Sequence, residues 1–486
     1  MNDIKSKAKY VNNNLSNRSL HRDLKNRHIQ LLAIGGTIGT GLFLGTHKTI
    51  SVGGPSIFLA YIIAGLICYF AMRCLGEMLI ASTKFRSFRE VITCFLGDGA
   101  GFVVGCVYWL VWVLAGVLDS LAVGVYINPY IPTAPKWLVP SFIVLVLFLI
   151  NMASVKFFGE TEFWLAIIKI LAIIITIIIG LGLIFTGYKY SFVFDNNLGL
   201  KQQDYITAEV QNLWQFGGFF PNGFIGFLLG FQMAFLAFAG IESIAVTAGE
   251  TANPKITLPK AIRNLPIRIG LFYVGSIFVI LCCVPWNKIL LLEGSPFAAI
   301  FGAVGMPKIE MIMILVLVTA ASSGANGGLY ISSRMLYGLS VDGEMPKIFS
   351  KTSKYGVPYI TLIFSTILIL LSVVLGSFLF SDPMRGFAVF ASWTTVAILI
   401  TWIFILITYI VYRIKFKRVH QFNIFKAPLG FVMSFICLAF FVGVFITMFF
   451  DPDMFIGICL SAICLVITLL IYIFIVRDIH KVKKRI

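Results

Sequence analysis

The chain has 486 residues, of which 59% are apolar and 12% charged. Soluble domains carry about 25% charged residues, so a water-soluble enzyme or binding module is excluded, and the mean hydropathy of +0.94 agrees. The net charge of +17 raises a nucleic-acid partner, a possibility that the distribution of the charge answers below.

Apolar stretches of about 20 residues or more, enough to cross the hydrocarbon core of a bilayer, recur along the whole chain. Twelve spans are predicted, near 29–49, 55–82, 101–127, 138–155, 163–186, 219–249, 267–286, 309–333, 358–379, 386–412, 428–450 and 453–476. With a cytoplasmic N-terminus, 29 of the 38 Lys and Arg residues fall on the cytoplasmic side. Seven lie outside (Lys48, Lys136, Lys189, Lys201, Lys288, Lys308 and Arg385), and Arg73 and Lys169 lie within spans. That asymmetry is a positive-inside signal, so the basic excess reports orientation rather than a nucleic-acid partner. An even number of spans returns the C-terminus to the cytoplasm.

Residues 1–28 form a polar, basic cytoplasmic tail with no apolar core of a cleaved signal peptide, so the first span is expected to serve as its own insertion signal. Span one then carries Gly35, Gly36, Gly39 and Gly41 within seven positions. Glycine costs about 1 kcal/mol against Ala in a helix, and four exceed what close packing of small residues requires. The run predicts a helix broken near the midplane, where unpaired backbone is tolerated only against a cavity or ligand. A half-helix starting after the run points amide N–H groups and a positive dipole end into that cavity, which suits a carboxylate. Gly36, Thr37, Ile38, Gly39, Thr40 and Gly41 are the candidates there, with the Thr37 and Thr40 hydroxyls as further donors.

In span two, Arg73 and Glu77 are four apart and are expected to pair on one helix face. Span three holds Asp119 and span five Lys169. A charge at a helix centre costs about 2.5–3.5 kcal/mol even on lenient scales, so each is a functional candidate by default. For Asp119, nearer the outer side, a buried charge satisfied by backbone is an equal reading. Residues 187–218 form an extracytoplasmic loop. Span six repeats the theme of span one, with Gly240 mid-span and Glu242 two residues later. The broken end offers the carbonyls of Phe238, Ala239 and Gly240 to an ammonium group. A carboxylate site facing an ammonium site describes a zwitterionic amino acid.

Spans one and six are five apart, which predicts an inverted repeat of residues 29–186 and 219–412 around a central site. A cytoplasmic loop at 413–427, helices 11 and 12 within 428–476 and a tail at 477–486 complete the chain. The expected fold is thus an all-α polytopic membrane protein of twelve transmembrane helices, a 5+5 inverted repeat with broken helices 1 and 6, plus two extra helices. Lys169 can place an ammonium where a metal ion would otherwise sit. Burial disfavours the charged form of Lys169 and of Glu242, so either can load and release a coupling proton. The nine cysteines lack metal-ligand spacing and the five histidines lie in tails, loops or span ends, so neither a metal nor another cofactor is expected. No G-x-x-x-x-G-K-[ST] run occurs, so the chain supplies no ATP-hydrolysing module and implies no ATPase subunit.

These residues resemble the amino acid transporter branch of the amino acid–polyamine–organocation superfamily over nearly the whole chain. The matching segments are Leu20–Phe43 (LHRDLKNRHIQLLAIGGTIGTGLF), Met72–Glu77 (MRCLGE), Phe158–Lys169 (FGETEFWLAIIK), Gly230–Glu250 (GFQMAFLAFAGIESIAVTAGE), Asn253–Pro259 and Ala320–Gly343. Within the branch the chain looks most like D-serine/D-alanine/glycine permeases, especially in NRHIQLLAIGG, NLPIRIGLFYV and SRMLYGL. Permeases for proline, γ-aminobutyrate and aromatic amino acids share much of the pattern. The resemblance implies proton-coupled uptake of a small neutral amino acid through the inner membrane of a bacterium. It implies that Ile38, Thr40 and Gly41 meet the substrate carboxylate, and Phe238, Ala239 and Gly240 its amino group. It also implies that Lys169 stands where sodium-coupled relatives bind an ion, with Glu242 a proton-linked acid and Ser322 and Ser323 near that position. Exchange of amino acids, or proton symport of proline, γ-aminobutyrate or another amino acid, are the alternatives. A passive channel needs neither deep charge. A receptor needs a signalling domain, and an enzyme needs a nucleophile–base pair or metal set that the sequence does not offer.

Overall fold

The computed structural model describes residues 38–81, 85, 87–195, 201–243, 254–291, 295–303, 305–421 and 423–480. The principal helices are α1 (Thr40–Phe43), α2 (Gly45–Gly53), α3 (Ile57–Ala81), α4 (Phe88–Leu96), α5 (Asp98–Ile127), α6 (Leu138–Ala153) and α7 (Val155–Thr186). They continue as α8 (Gly223–Leu236), α9 (Ser276–Cys283), α10 (Pro307–Val341), α11 (Tyr359–Leu379), α12 (Pro383–Lys415), α13 (Gly430–Thr447) and α14 (Pro452–Ile471). Among the described residues, nine helical stretches are long and apolar enough to cross a membrane, and α6 and α8 are shorter apolar helices. One of the nine, Thr40–Ala81, takes in α1, α2 and α3 and bends at Gly54, where φ is +58°.

Local chemistry sets the helix limits. Ser154 accepts a hydrogen bond from the Phe157 amide at 3.1 Å and so caps α7, whose other end closes on left-handed Gly187. Asp382 and Asp451 cap α12 and α14 in the same way, each followed by a proline that suits the first helical turn.

Helices α5 and α10 form the centre of the bundle. Their backbones meet where Gly328 faces Gly116: a Cβ on Gly328 would lie 2.8 Å from the Trp112 carbonyl oxygen and 2.9 Å from the Gly116 nitrogen. One turn earlier Gly324 lies against Asp119, so Gly324 and Gly328 make a small-residue stripe of the kind that lets membrane helices approach closely. Outside this centre, α13 and α14 present exposed Val432, Ile436, Ile463, Val466 and Ile467, side chains suited to lipid contact.

Helices α2 and α8 are joined at one end by backbone contact. A Cβ on Gly226 would lie 2.3 Å from the Val52 carbonyl oxygen, and the Asn222 amide donates to the carbonyls of Ser51 and Val52 at 3.2 and 2.9 Å. Gly54 packs against Pro221 beside this junction.

Two sequence expectations are corrected. The 187–218 loop is not purely irregular in an all-α chain: β1 (Lys189–Asp195) and β2 (Lys201–Thr207) form an antiparallel hairpin. Tyr190 pairs with Ile206, both side chains are buried, and the Tyr190 hydroxyl donates to the Cys283 carbonyl at 2.6 Å, fastening the hairpin to the end of α9. Arg73 and Glu77 also find better partners than each other. Fully buried Glu77 accepts from the Tyr409 hydroxyl and the Ala427 amide, both at 2.8 Å, and is paired with His420. Arg73 instead donates to the Lys426 carbonyl and lies 4.1 Å over the Phe425 ring. A carboxylate shielded from water collects several donors, and α12 and the segment after it supply them.

The α5–α10 crossing makes a direct prediction. Gly328→Leu must push the two helix backbones apart and should destabilise the fold by about 1–3 kcal/mol, as overpacking does. It should lower the midpoint of thermal unfolding in detergent, whereas Gly338→Ala, at a position with nothing within 4 Å, should leave it in place.

Candidate functional site

The site begins with two helix ends. Gly39 is extended (φ −134°, ψ −163°), and α1 starts at Thr40 without a side-chain cap. The amides of Thr40 and Gly41 therefore have no carbonyl a turn earlier in their own helix, and they mark its positive end. Helix α8 ends at Leu236, after which the backbone passes through tight turns. The Phe238 amide donates to Phe235 at 3.0 Å and the Ala239 amide to Leu236 at 2.9 Å. Gly240 takes φ +96°, a left-handed value that favours glycine. The two ends touch, because a Cβ on Gly41 would lie 3.0 Å from the Ala237 Cα and 3.3 Å from the Leu236 carbonyl oxygen. A donor-rich end thus lies against an acceptor-rich end.

Beside this junction is a small cavity of about 70 Å³, lined by Gly39, Thr40 and Gly41 from the first end and Leu236, Ala237, Ala239 and Gly240 from the second. One face of α5 supplies the opposite wall through Val111, Trp112, Ala115, Leu118 and Asp119. Their spacing of one, three and four residues is that of a single helix face. Gly324 and Thr394 complete the lining. The Thr40 hydroxyl donates to Asp119 and so ties α1 to α5. Trp112 packs edge-on against Tyr108 with ring centroids 6.1 Å apart, and its buried indole N–H interacts with the Tyr108 hydroxyl beside the cavity.

Two further buried groups flank the cavity without lining it. Glu242 is fully buried and accepts from the Tyr108 hydroxyl at 3.2 Å and from the Gly240 amide at 3.2 and 3.3 Å to its two oxygens. Its carboxylate holds the left-handed turn in place. Lys169, also fully buried, donates to Ser323 at 2.9 Å, and Ser323 donates in turn to Glu162. Lys169 and Glu162 are 4.0 Å apart, and both act electrostatically on Asp119.

The structure thus brings Gly39, Thr40, Gly41, Ala239, Gly240 and Asp119 to one cavity. Ile38 and Phe238 are buried but do not line it, and the Phe238 ring packs between Tyr61 and Tyr273. Gly36 and Thr37 lie outside the described residues. Lys169 and Ser323 are linked as a pair, while neighbouring Ser322 is half-buried and outside the lining. Trp112, Thr394, Gly324, Tyr108 and Glu162 were not expected from the sequence. The Trp112–Ala115–Asp119 spacing was the one available signal for the α5 wall.

Similarity to known proteins extends over nearly the whole chain. The family model for amino acid permeases matches residues 28–485. The D-serine/D-alanine/glycine transporter of Escherichia coli (strain K12) is 40% identical over 438 residues, covering 90% of each chain. The amino-acid permease AapA of Bacillus subtilis (strain 168) is 40% identical over 466 residues, 96% of this chain and 97% of its own. The probable threonine/serine transporter YbxG of the same organism is 37% identical over 459 residues, 94% of this chain and 96% of its own.

Gly240 exposes the site to a simple test. Gly240→Leu forces a branched side chain into a left-handed turn on the cavity wall, and it should eliminate amino acid binding in a scintillation proximity assay. Wild-type affinity in that variant would separate the turn from the site.

Proposed function

The chain belongs to the amino acid permease family, a family of multi-pass membrane transporters rather than enzymes, and on that footing we propose that it carries a small neutral amino acid inward together with a proton. The observation that carries this reading is the contact between the start of α1 and the end of α8 at one small cavity. The Thr40 and Gly41 amides suit a carboxylate, and the carbonyl-rich turn at Ala237–Gly240 suits an ammonium group. Both clamps read what all amino acids share. The α5 wall reads the rest, and Trp112, Leu118 and the Asp119–Thr40 pair leave room for a short side chain, polar or absent. Glycine, D-alanine and D-serine fit that description. It also accords with the relatives, one named for D-serine, D-alanine and glycine and another for threonine and serine.

In this reading both termini are cytoplasmic, the membrane is the plasma membrane of a bacterium, and residues 29–186 and 219–412 form inverted halves that alternate access to the cavity. Lys169 and Glu242 are the coupling groups, with Asp119 and Ser323 in support. One proton moving through about 100 mV supplies about 2.3 kcal/mol, on the order of fifty-fold accumulation of a neutral zwitterion. Amino acid exchange is the second reading, favoured if the Lys169–Glu162 pair stays intact through the cycle.

Proteoliposomes decide between them. Glycine, D-alanine and D-serine should accumulate under an inward proton gradient and fail to do so with an uncoupler, while L-proline and γ-aminobutyrate should be poor substrates. Uptake indifferent to the gradient would leave exchange. Lys169→Ala should reduce concentrative uptake at least tenfold while substrate counterflow persists, and unchanged accumulation would remove Lys169 from coupling.

A further inference from the structure

Below the cavity lies a buried polar thread that the substrate site does not use. Glu162 is seven residues before Lys169 on α7, about 10 Å along the helix, and is 2% exposed. One carboxylate oxygen accepts from Ser323, while the other is buried with no hydrogen-bond partner among the described residues. One turn further along α10, fully buried Asn326 accepts from the Asn151 amide at 2.7 Å, and its own amide nitrogen is likewise unpartnered among the described residues. A buried acceptor and a buried donor in one cluster, each with capacity to spare, are what bridging water satisfies, since buried polar groups otherwise find protein partners. The next turn on each helix closes the thread. Phe158 and Tyr330 stack with ring centroids 3.8 Å apart and planes within 6°, and the Arg334 guanidinium lies 3.3 Å over Tyr330.

We propose that Glu162 receives the coupling proton from Lys169 through the Ser323 hydroxyl and releases it towards the cytoplasm along Asn326 and Asn151, past the Phe158–Tyr330 stack. This rests on the proton-coupled reading above. The hydrogen bonds already run in the direction of transfer. An N–H proton of the Lys169 ammonium passes to the Ser323 oxygen as the Ser323 proton passes to Glu162. The products are a neutral amine, an unchanged hydroxyl and a neutral carboxylic acid. Glu162 then protonates water entering from the cytoplasmic side, and Lys169 is reprotonated from the outer side in the next cycle. Other charges near the pair include Asp119 on α5, which interacts with both members, and Arg334 beyond the stack. The transfer turns a buried ion pair into two neutral groups, which removes the cost of keeping two charges away from water while the thread opens.

The experiment uses the full chain in proteoliposomes loaded with a pH-sensitive dye, with glycine added outside. The wild type should acidify the lumen as glycine enters. Glu162→Gln should cut glycine-driven acidification and accumulation at least tenfold while glycine counterflow persists, and Glu162→Asp should restore some of the acidification. Ser323→Ala, which keeps both charges and removes the hydroxyl, should slow acidification by a similar factor. Acidification at the wild-type rate in Glu162→Gln or in Ser323→Ala would overturn the relay while leaving proton coupling intact. Glycine entry without acidification in the wild type would overturn coupling itself, and the relay with it.

Discussion

A backbone amide or carbonyl in the hydrocarbon core must find a partner, and this protein is organised around the place where two helix ends meet inside the bundle regardless. The start of α1 and the end of α8 leave polar backbone in the middle of an apolar bundle. Their partners are local and few: Glu242 takes the Gly240 amide, and the tight turns after Leu236 use some of the carbonyl supply. What remains faces the cavity. In the proposed reading the substrate is the missing hydrogen-bond complement of these two helix ends, so that the site would read the amino acid backbone first and the side chain second.

The charged residues divide according to the same constraint. Glu77 is fully buried and fastens α3 to α12 through Tyr409 and to the segment after α12 through His420 and Ala427. Glu242 fastens a turn. The Ser323 hydroxyl links Lys169 to Glu162 on α7, and on α5 Asp119, which interacts electrostatically with them, accepts from Thr40. Each charge is held by donors or acceptors from a different helix, so moving a helix changes the company that a charge keeps. That is the property a transporter needs if ion occupancy and conformation are to affect one another.

Much of this was legible in the sequence. Gly39 and Gly41 lie at the start of α1 and Gly240 with Glu242 at the turn after α8, as the glycine pattern predicts. Lone charges marked Asp119 and Lys169, while Gly35 and Gly36 lie outside the described residues. Glu162 was missed because an apolar span predicted from residue 163 leaves it in a loop, whereas α7 starts at Val155 and carries it inside the helix. Hydropathy trims the polar first turns of a helix, even where tertiary packing buries them. Trp112 was missed because an aromatic on an apolar helix gives no sign in sequence whether its N–H meets protein or a cavity. The β1–β2 hairpin lay in a stretch read as loop, and the burial of Tyr190 and Ile206 that secures it depends on contacts with α9.

The junction of α2 with α8 has a mechanical consequence. Gly226 admits the Val52 carbonyl so closely that even one methyl group would not fit, and Asn222 ties the same end with two hydrogen bonds. Two segments welded in this way cannot slide past each other, so they turn as one lever arm. In the proposed reading, the amides that face the substrate carboxylate on α1 and the turn that faces its ammonium after α8 sit on that arm together. A swing of the arm relative to α5 and α10 would then carry the substrate's charged ends with it unstretched, and the surface that changes beneath them would be the α5 wall with its acid and its indole. On that proposal grip and gate belong to different segments, and access could pass from one side of the membrane to the other without the substrate first being let go.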